Sequence, residues 1–494
     1  MTNIATARET LALARSLGVA DFCVCAGSRN SPLLAVVGSA ISFVDERSAA
    51  FFALGRAKRD RRPVAVITTS GTAVAELLPA AIEAYYSATP LIFITADRPA
   101  RYRGTGAPQA IEQLGIFGVY AETDAAAWSR TRALHLNVEF DEPLIDEDVL
   151  IPLPPGEGGR RPGEGSRESA TPLIRRSAAP SPDGRRIGAR PLVILGGLAP
   201  DKREQVKQFV NMLSAPVYAE PLSGLRESLD AIRNERMLAR ADFDGVIRIG
   251  NVPTLRFWRD LDERFRELPV IHFSDLPFAG LPRGDVHPIE ALPQNIEPRP
   301  RTDDFLARDK AMSLRVAALL DQEKDSEPAM LRDLANRIPP NARIYLGNSL
   351  PIREWDLVAP RDPRDFELDA NRGANGIDGQ LSTFFGWCLP SASNWCVLGD
   401  LTTIYDLNAP WVVPQLDAEF RVVIINNGGG RIFSRVPSLA PLARDVREHI
   451  IENTHSLCFE SWSAMWGISD RVIELRPDPE ATSRFWTKYD ELWR

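Results

Sequence analysis

Apolar runs in this chain are short, continuous in Val, Ile, Leu and Phe, and stopped each time by a polar cluster. Runs at 22–25, 41–44, 63–68 and 90–95 show little alternation, which predicts strands buried on both faces, as in parallel sheets. Helical spacing fills the gaps. Ile4, Leu11, Ala14 and Leu17 share one face of a helix over 3–17, with Gly18 as its stop. A second helix is expected after Asp45-Glu46-Arg47 to about Arg59, and a third from Thr72 through Tyr86. This β–α alternation predicts a mainly parallel sheet flanked by helices. The polar clusters Gly27-Ser28-Arg29-Asn30, Asp45-Glu46-Arg47, Thr69-Ser70-Gly71-Thr72 and Ala96-Asp97-Arg98-Pro99 follow strands, at the edge where open α/β sheets bind ligands.

The pattern resumes twice. Runs at 191–195, 245–249 and 269–273 form a second unit, with Gly196-Gly197 and Gly250 as turns; no Gly-x-Gly-x-x-Gly follows, so a dinucleotide site is not supported. A charged helical stretch over 302–337 leads to a third unit with strands at 343–346, 395–398 and 421–425, the last two joined by a crossover helix. The expected organisation is three similar α/β units, 1–150, 191–325 and 326–494. Residues 151–190, rich in Pro, Gly, Arg and Ser, read as a flexible linker or insert without a core.

Composition narrows the class. The 494 residues suit about three domains, and 44% apolar with 25% charged residues is ordinary for a globular protein. A net charge of −8 argues against a nucleic-acid or anionic-membrane partner. The first eighteen residues lack the pattern of a secretion signal, and no run reaches the roughly 20 apolar residues of a membrane span. Five scattered cysteines, with no Cys-x-x-Cys pair, fit small core residues in a reducing cytoplasm. The five histidines have no metal-ligand spacing.

The third unit carries the sharpest chemistry. The run at 395–398 ends in Gly399-Asp400-Leu401-Thr402, and the run at 421–425 ends in Asn426-Asn427-Gly428-Gly429-Gly430. Both strands deliver an oxygen ligand to one sheet edge. The Asp400 carboxylate, the Asn427 amide oxygen and a backbone carbonyl such as that of Gly429 suit a hard cation that shares its shell with phosphate oxygens. The turn after Asp400 offers N–H groups to those phosphates.

Gly399-Asp400 with Asn426-Asn427 resembles the diphosphate–metal signature of thiamine diphosphate enzymes. The longer string, Gly399-Asp400-Leu401-Thr402 with Tyr405-Asp406-Leu407-Asn408, is similar to one branch, the 2-succinyl-5-enolpyruvyl-6-hydroxy-3-cyclohexene-1-carboxylate synthase family of menaquinone biosynthesis. The resemblance extends over residues 1 to about 440 and is weakest at 150–190. The chain has Cys25-Ala26-Gly27-Ser28 where the family has Pro-Gly-Ser, and Asn426-Asn427-Gly428-Gly429 where Asn-Asn-Asn-Gly is common.

The resemblance implies an α/β fold of three thiamine diphosphate-enzyme-type domains. It implies a transferase that decarboxylates 2-oxoglutarate and adds the resulting succinyl carbanion equivalent to isochorismate in a 1,4 sense, with thiamine diphosphate and Mg²⁺ (or Mn²⁺). Glu46 matches the glutamate on the pyrimidine ring; the neighbouring Asp45 is available to cap the following helix. Gly399, Asp400, Leu401 and Asn427 match the diphosphate site, Asp400, Asn427 and Gly429 the metal ligands, and Ile377 the residue that holds the cofactor bent. Ser28, Arg29, Arg98, Gln109, Arg256, Asn348, Ser349, Arg353 and Arg372 match substrate residues, with Arg29, Gln109, Ser349 and Arg353 taking part in the reaction beside Glu46. Taken singly, each arginine is more often a solvated or paired surface residue; guanidinium groups suit the carboxylates of both acids. A homodimer or homotetramer with active sites between subunits is implied as well. Two other readings stay open: another thiamine diphosphate carboligase or decarboxylase of the acetolactate synthase type, and a non-catalytic scaffold of the same fold.

Overall fold

The computed structural model describes residues 2–146, 190–240, 242–294 and 303–494. The insert expected at 151–190 lies, apart from Arg190, outside the described residues. Three sheets are present. The first has β1 (Phe22–Cys25), β2 (Ile41–Phe43), β3 (Val64–Thr68), β4 (Leu91–Asp97), β5 (Ala121–Glu122) and β6 (Ala133–Glu139) in the order β2-β1-β3-β4-β6-β5. The second has β7 (Pro191–Leu195), β8 (Val217–Ala219), β9 (Gly245–Ile249), β10 (Val270–Phe273) and β11 (Val286–His287), ordered β11-β10-β9-β7-β8. The third has β12 (Arg343–Leu346), β13 (Glu367–Asp369), β14 (Asn394–Gly399), β15 (Phe420–Ile425) and β16 (Val472–Leu475), ordered β13-β12-β14-β15-β16. Every strand pairing described is parallel, so all strands of a sheet end at one edge.

The third sheet is shared between two cores. Successive side chains of a strand point to opposite faces. Val422 and Ile424 of β15 therefore join a core with Val66 and Phe93 of the first sheet, while Val423 and Ile425 join a core with Ile194 and Val246 of the second. On the first face the Glu46–Asp60 helix crosses the Gln380–Trp387 helix. Gly55 and Gly386 allow this: a Cβ on either would strike the backbone of the opposite helix, at Thr383 and Phe52 respectively.

Several elements differ from expectation. The helix expected from Thr72 to Tyr86 is two, Thr72–Ala75 and Leu78–Ser87, because Pro79 has no N–H to give the preceding turn and restarts the helix at its N-terminus. The single crossover helix expected between β14 and β15 is a short helix, Asp400–Tyr405, and a 3₁₀ segment, Ala409–Gln415, with Pro410 and Pro414 inside the latter. The stretch over 302–337 divides into Asp303–Gln322 and Glu327–Arg337, capped at the break by Ser326. In the second sheet, Asn251 N donates to Gly197 O at 2.9 Å, so protein backbone fills the crevice beside Gly196-Gly197. Among the described residues no helix is long and apolar enough to cross a membrane.

Candidate active site

β14 and β15 end side by side, with Gly399 paired to Ile425. Asp400 then opens a helix and is buried. Its Oδ2 accepts from Gly428 N at 2.8 Å and Gly429 N at 2.9 Å, and its Oδ1 accepts from Leu401 N at 2.6 Å. Burial raises this carboxyl above its ordinary range, and the three N–H groups and nearby His455 offset part of the rise. The Gly428-Gly429 turn has φ of +78° and +135°. A Cβ on Gly429 would lie 2.6 Å from Glu452 O, so only glycine lets the turn close over Asp400.

Asn427 divides its amide. Its Nδ2 donates to Glu327 Oε2 at 2.9 Å, while its Oδ1 is buried and has no hydrogen-bond partner. A buried amide oxygen left unpaired beside a buried carboxylate is costly in the protein alone. With the Gly429 carbonyl it makes a donor set of oxygens only, which fits a divalent hard cation. Among the described residues no cluster of His, Cys, Asp and Glu makes another metal site.

The sequence reading missed three groups here. Glu327 opens the Glu327–Arg337 helix, is buried, and is pushed up to about 7 by that burial. His455 places Nε2 3.3 Å from Asp400 Oδ2. Glu354 is buried with both carboxyl oxygens unpartnered, and burial together with the charge of Glu327 pushes it well up. A first-turn glutamate reads as a solvated helix-dipole partner in sequence; only the folded chain brings Glu327 to Asn427.

Glu46 lies at the edge of the first sheet. Asp45 is the N-cap of the Glu46–Asp60 helix and accepts from Ser48 N at 3.0 Å, so the cap is filled without Glu46, whose carboxyl meets its own backbone N–H. Burial pushes Glu46 upward, with Asp45 and Glu76 adding to the rise. It shares a cleft of about 630 Å³ with Thr69, Ser70, Thr72 and Gln109. Gln109 is exposed at φ +57° and packs on Gly71, whose N–H donates to Gln113 Oε1 at 3.0 Å. Arg98 Nε donates to Pro108 O at 2.8 Å and so anchors the loop that carries Gln109. Ser28 is exposed at the β1 turn. Arg29 beside it is buried, donating to Phe140 O at 3.0 Å and lying 3.3 Å from a Glu142 carboxylate oxygen.

A larger cleft of about 1220 Å³ is lined by residues of the second and third units, Arg256, Arg353 and Arg372 among them. Arg372 NH1 donates to Asn348 Oδ1 at 2.8 Å; its NH2 is buried without a partner, and burial pushes the guanidinium down to about 10. Asn348 Nδ2 in turn donates to Asn371 O and Gly376 O, both at 2.7 Å. Ser349 sits at φ +71°, a conformation costly for a residue with a Cβ, and its carbonyl accepts from Arg353 NH1 at 2.6 Å. Arg256 is engaged elsewhere: its guanidinium pairs with Asp260 at 2.8 Å and Glu263 at 2.7 Å on its own helix. Ile377 is half-buried in the turn after Arg372. Ile432 and Phe433, which the sequence reading did not single out, line this cleft too.

Within one chain the two clefts have separate linings, and the residues beside Glu46 are tied to the third unit: Arg47 NH2 donates to Tyr405 O at 2.8 Å and Asn408 Nδ2 to Asp45 Oδ2. Among the described residues none beyond Gln109 lines the Glu46 cleft, and neither Glu46 nor Gln109 lines the larger one. Large apolar side chains are exposed at both: Val44 at 61% beside Glu46, and Tyr405, Leu407 and Trp411 at 50%, 42% and 39% beyond Asp400.

Comparison with known proteins bears on this arrangement. Residues 6–116 match the family described as thiamine pyrophosphate enzyme, N-terminal TPP binding domain. The whole chain aligns with 2-succinyl-5-enolpyruvyl-6-hydroxy-3-cyclohexene-1-carboxylate synthase of Bdellovibrio bacteriovorus at 41% identity, covering 100% of both proteins. The proteins of the same name from Akkermansia muciniphila and Bacillus velezensis are 37% and 32% identical; the alignments cover 94% and 91% of this chain, and 95% and 87% of those proteins.

Proposed function

The chain belongs to the 2-succinyl-5-enolpyruvyl-6-hydroxy-3-cyclohexene-1-carboxylate synthase family, and we propose that it couples decarboxylation of 2-oxoglutarate to 1,4-addition of the succinyl unit to isochorismate in menaquinone biosynthesis. It is a thiamine diphosphate-dependent enzyme with three α/β units; we take these as 1–150, 191–325 and 326–494. The observation that carries the reading is the Asp400–Asn427 pair, where a buried amide oxygen stands unpaired beside a buried carboxylate at the sheet edge. Asp400, Asn427 and the Gly429 carbonyl would hold Mg²⁺ or Mn²⁺, with Gly399 and Leu401 at the diphosphate.

The chemistry supplied by thiamine diphosphate when bound is that of an electron sink for the pair left as carbon dioxide departs. Glu46 would hold a proton at its carboxyl and share it with the far nitrogen of the pyrimidine; the upward push of burial favours that protonated form. Ile377 would keep the cofactor bent. Arg353, Ser349, Asn348 and Arg372 would grip the carboxylates of one acid, and Ser28, Arg29, Arg98, Gln109 and Arg256 those of the other. The unpartnered NH2 of Arg372 supports the first grip. The carboxylates already paired with Arg256 make it the weakest contributor.

A homodimer or homotetramer completes the site, with Glu46 of one subunit meeting Asp400 of another. The separation of the two clefts within one chain and the exposed Val44, Tyr405, Leu407 and Trp411 support this. Five free cysteines, four of them buried, support a cytoplasmic setting. Quenching of tryptophan fluorescence by thiamine diphosphate tests the cofactor site. Quenching is expected to need a divalent ion and to weaken at least tenfold in Asp400→Asn; quenching that is indifferent to the ion would count against the site.

A further inference from the structure

Glu83 lies on the Leu78–Ser87 helix of the first unit and is 3% exposed. Its two carboxylate oxygens accept from Gly373 N at 2.8 Å and Ala374 N at 2.7 Å, in the third unit. Those N–H groups belong to the turn after β13, which carries Arg372 and Ile377. Gly373 makes the approach possible, since a Cβ there would lie 2.8 Å from Glu83 O and 3.0 Å from its Oε1. A second grip comes from the same unit: Lys58 Nζ donates to Asp369 Oδ1 at 2.7 Å and to Ala370 O at 2.8 Å. From the other side, Asn348 holds Asn371 O, Gly376 O and the guanidinium of Arg372.

A buried carboxylate is expensive unless its oxygens are paired, and two backbone N–H groups meet that need. The geometry has a chemical reason to be an acid. Both groups facing Glu83 are donors, so an amide in its place would turn an NH₂ toward one of them.

We propose that Glu83 is a positioning residue: through Gly373 and Ala374 it sets the turn from which Arg372 reaches the substrate cleft. The proposal rests on the reading of Arg372 as a carboxylate-binding residue. It reaches across two units of one chain, and no local motif announces it.

The test uses the full chain with thiamine diphosphate and Mg²⁺. Glu83→Gln, Arg372→Lys and the double variant are compared by hydrogen exchange over residues 371–377 and by KM for both acids. In Glu83→Gln, faster exchange confined to that turn is expected, with KM for one acid up roughly tenfold, kcat near wild type, and the double variant little worse than Arg372→Lys alone. Unchanged exchange overturns the clamp. Faster exchange with additive losses or unmoved KM values overturns the positioning role. Arg372→Lys with both KM values at wild type overturns the reading of Arg372 and the positioning role with it, and loosened exchange in Glu83→Gln then shows that the clamp itself stands. If Glu83→Gln fails to fold, Glu83→Asp, which keeps both acceptors on a shorter arm, is held to the same outcomes.

Discussion

Replacing Asn427 by Ala removes an amide whose two ends do different work. Without the Nδ2 donor, Glu327 becomes a buried carboxyl with neither oxygen paired, because its Oε1 already lacks a partner. Leaving such a group unsatisfied costs about 2 kcal/mol. The group is already pushed up to about 7, so at neutral pH protonation absorbs part of this and the loss without ligands falls at about 1–2 kcal/mol. Without Oδ1 the ion loses a ligand. At a concentration of 100 times Kd, ion and cofactor stabilise the wild type by about 2.7 kcal/mol; a Kd raised about 100-fold leaves about 0.4 kcal/mol at the same concentration. For a unit of this size that difference converts a rise in Tm of roughly 5–10 °C into roughly 1 °C. Thermal melts with and without Mg²⁺ and thiamine diphosphate read both effects. Asn427→Asp separates them: it keeps an oxygen and so keeps a ligand-induced rise, but sets a second carboxylate against Glu327 and is less stable without ligands. A full wild-type rise in Asn427→Ala would refute the assignment of Asn427 to the ion.

Three further outcomes follow from the geometry. Glu46→Gln is expected to bind the cofactor with near wild-type affinity yet to slow 2-oxoglutarate decarboxylation by about 10²-fold or more; unimpaired decarboxylation would exclude Glu46 from the proton step. Gly386→Ala puts a Cβ into Phe52 O across the helix crossing and is expected to cost about 3 kcal/mol, seen as a lower melting midpoint, whereas a midpoint at wild type would mean the helices separate freely. His135 is buried against Thr95 and Phe117, and burial pushes it down to about 4. The unfolded chain takes up that proton near pH 6.5 and the folded chain does not, so stability falls as pH drops from about 6.5 toward 4, by at most about 3 kcal/mol. His135→Gln should flatten that part of the midpoint-versus-pH curve, and an unchanged slope would place the acid sensitivity elsewhere.

Fully buried strands were the legible part of this fold. β3, β4, β7, β12, β14 and β15 each hold an unbroken run of buried apolar residues, and β9 does so but for Arg248, because a parallel strand between helical layers has no wet face. β6 escaped notice because His135, Asn137 and Glu139 interrupt its run, and their reason for being there is tertiary: Asn137 bridges Thr95, Asp97 and Gln113. β16 escaped because it is an edge strand with half-buried side chains. At the site, Asp400, Asn427 and Glu46 were legible because each follows a readable strand. Glu327, Glu354, His455 and Glu83 were not. Each is a titratable residue on an ordinary helix or loop, and what sets it apart is a neighbour far away in the chain, 100 positions for Glu327 and 290 for Glu83, or burial from solvent. No local period encodes a contact of that kind.

The reaction itself is the most direct measurement. Purified protein is mixed with Mg²⁺, thiamine diphosphate, 2-oxoglutarate and isochorismate, and the loss of isochorismate is followed. The account predicts loss that needs both 2-oxoglutarate and the cofactor and that is slowed by about 10²-fold or more in Glu46→Gln. Persistent isochorismate while pyruvate or 2-oxoglutarate is decarboxylated would contradict the acceptor and leave a different carboligase or decarboxylase; no turnover and no cofactor binding would contradict the enzyme altogether.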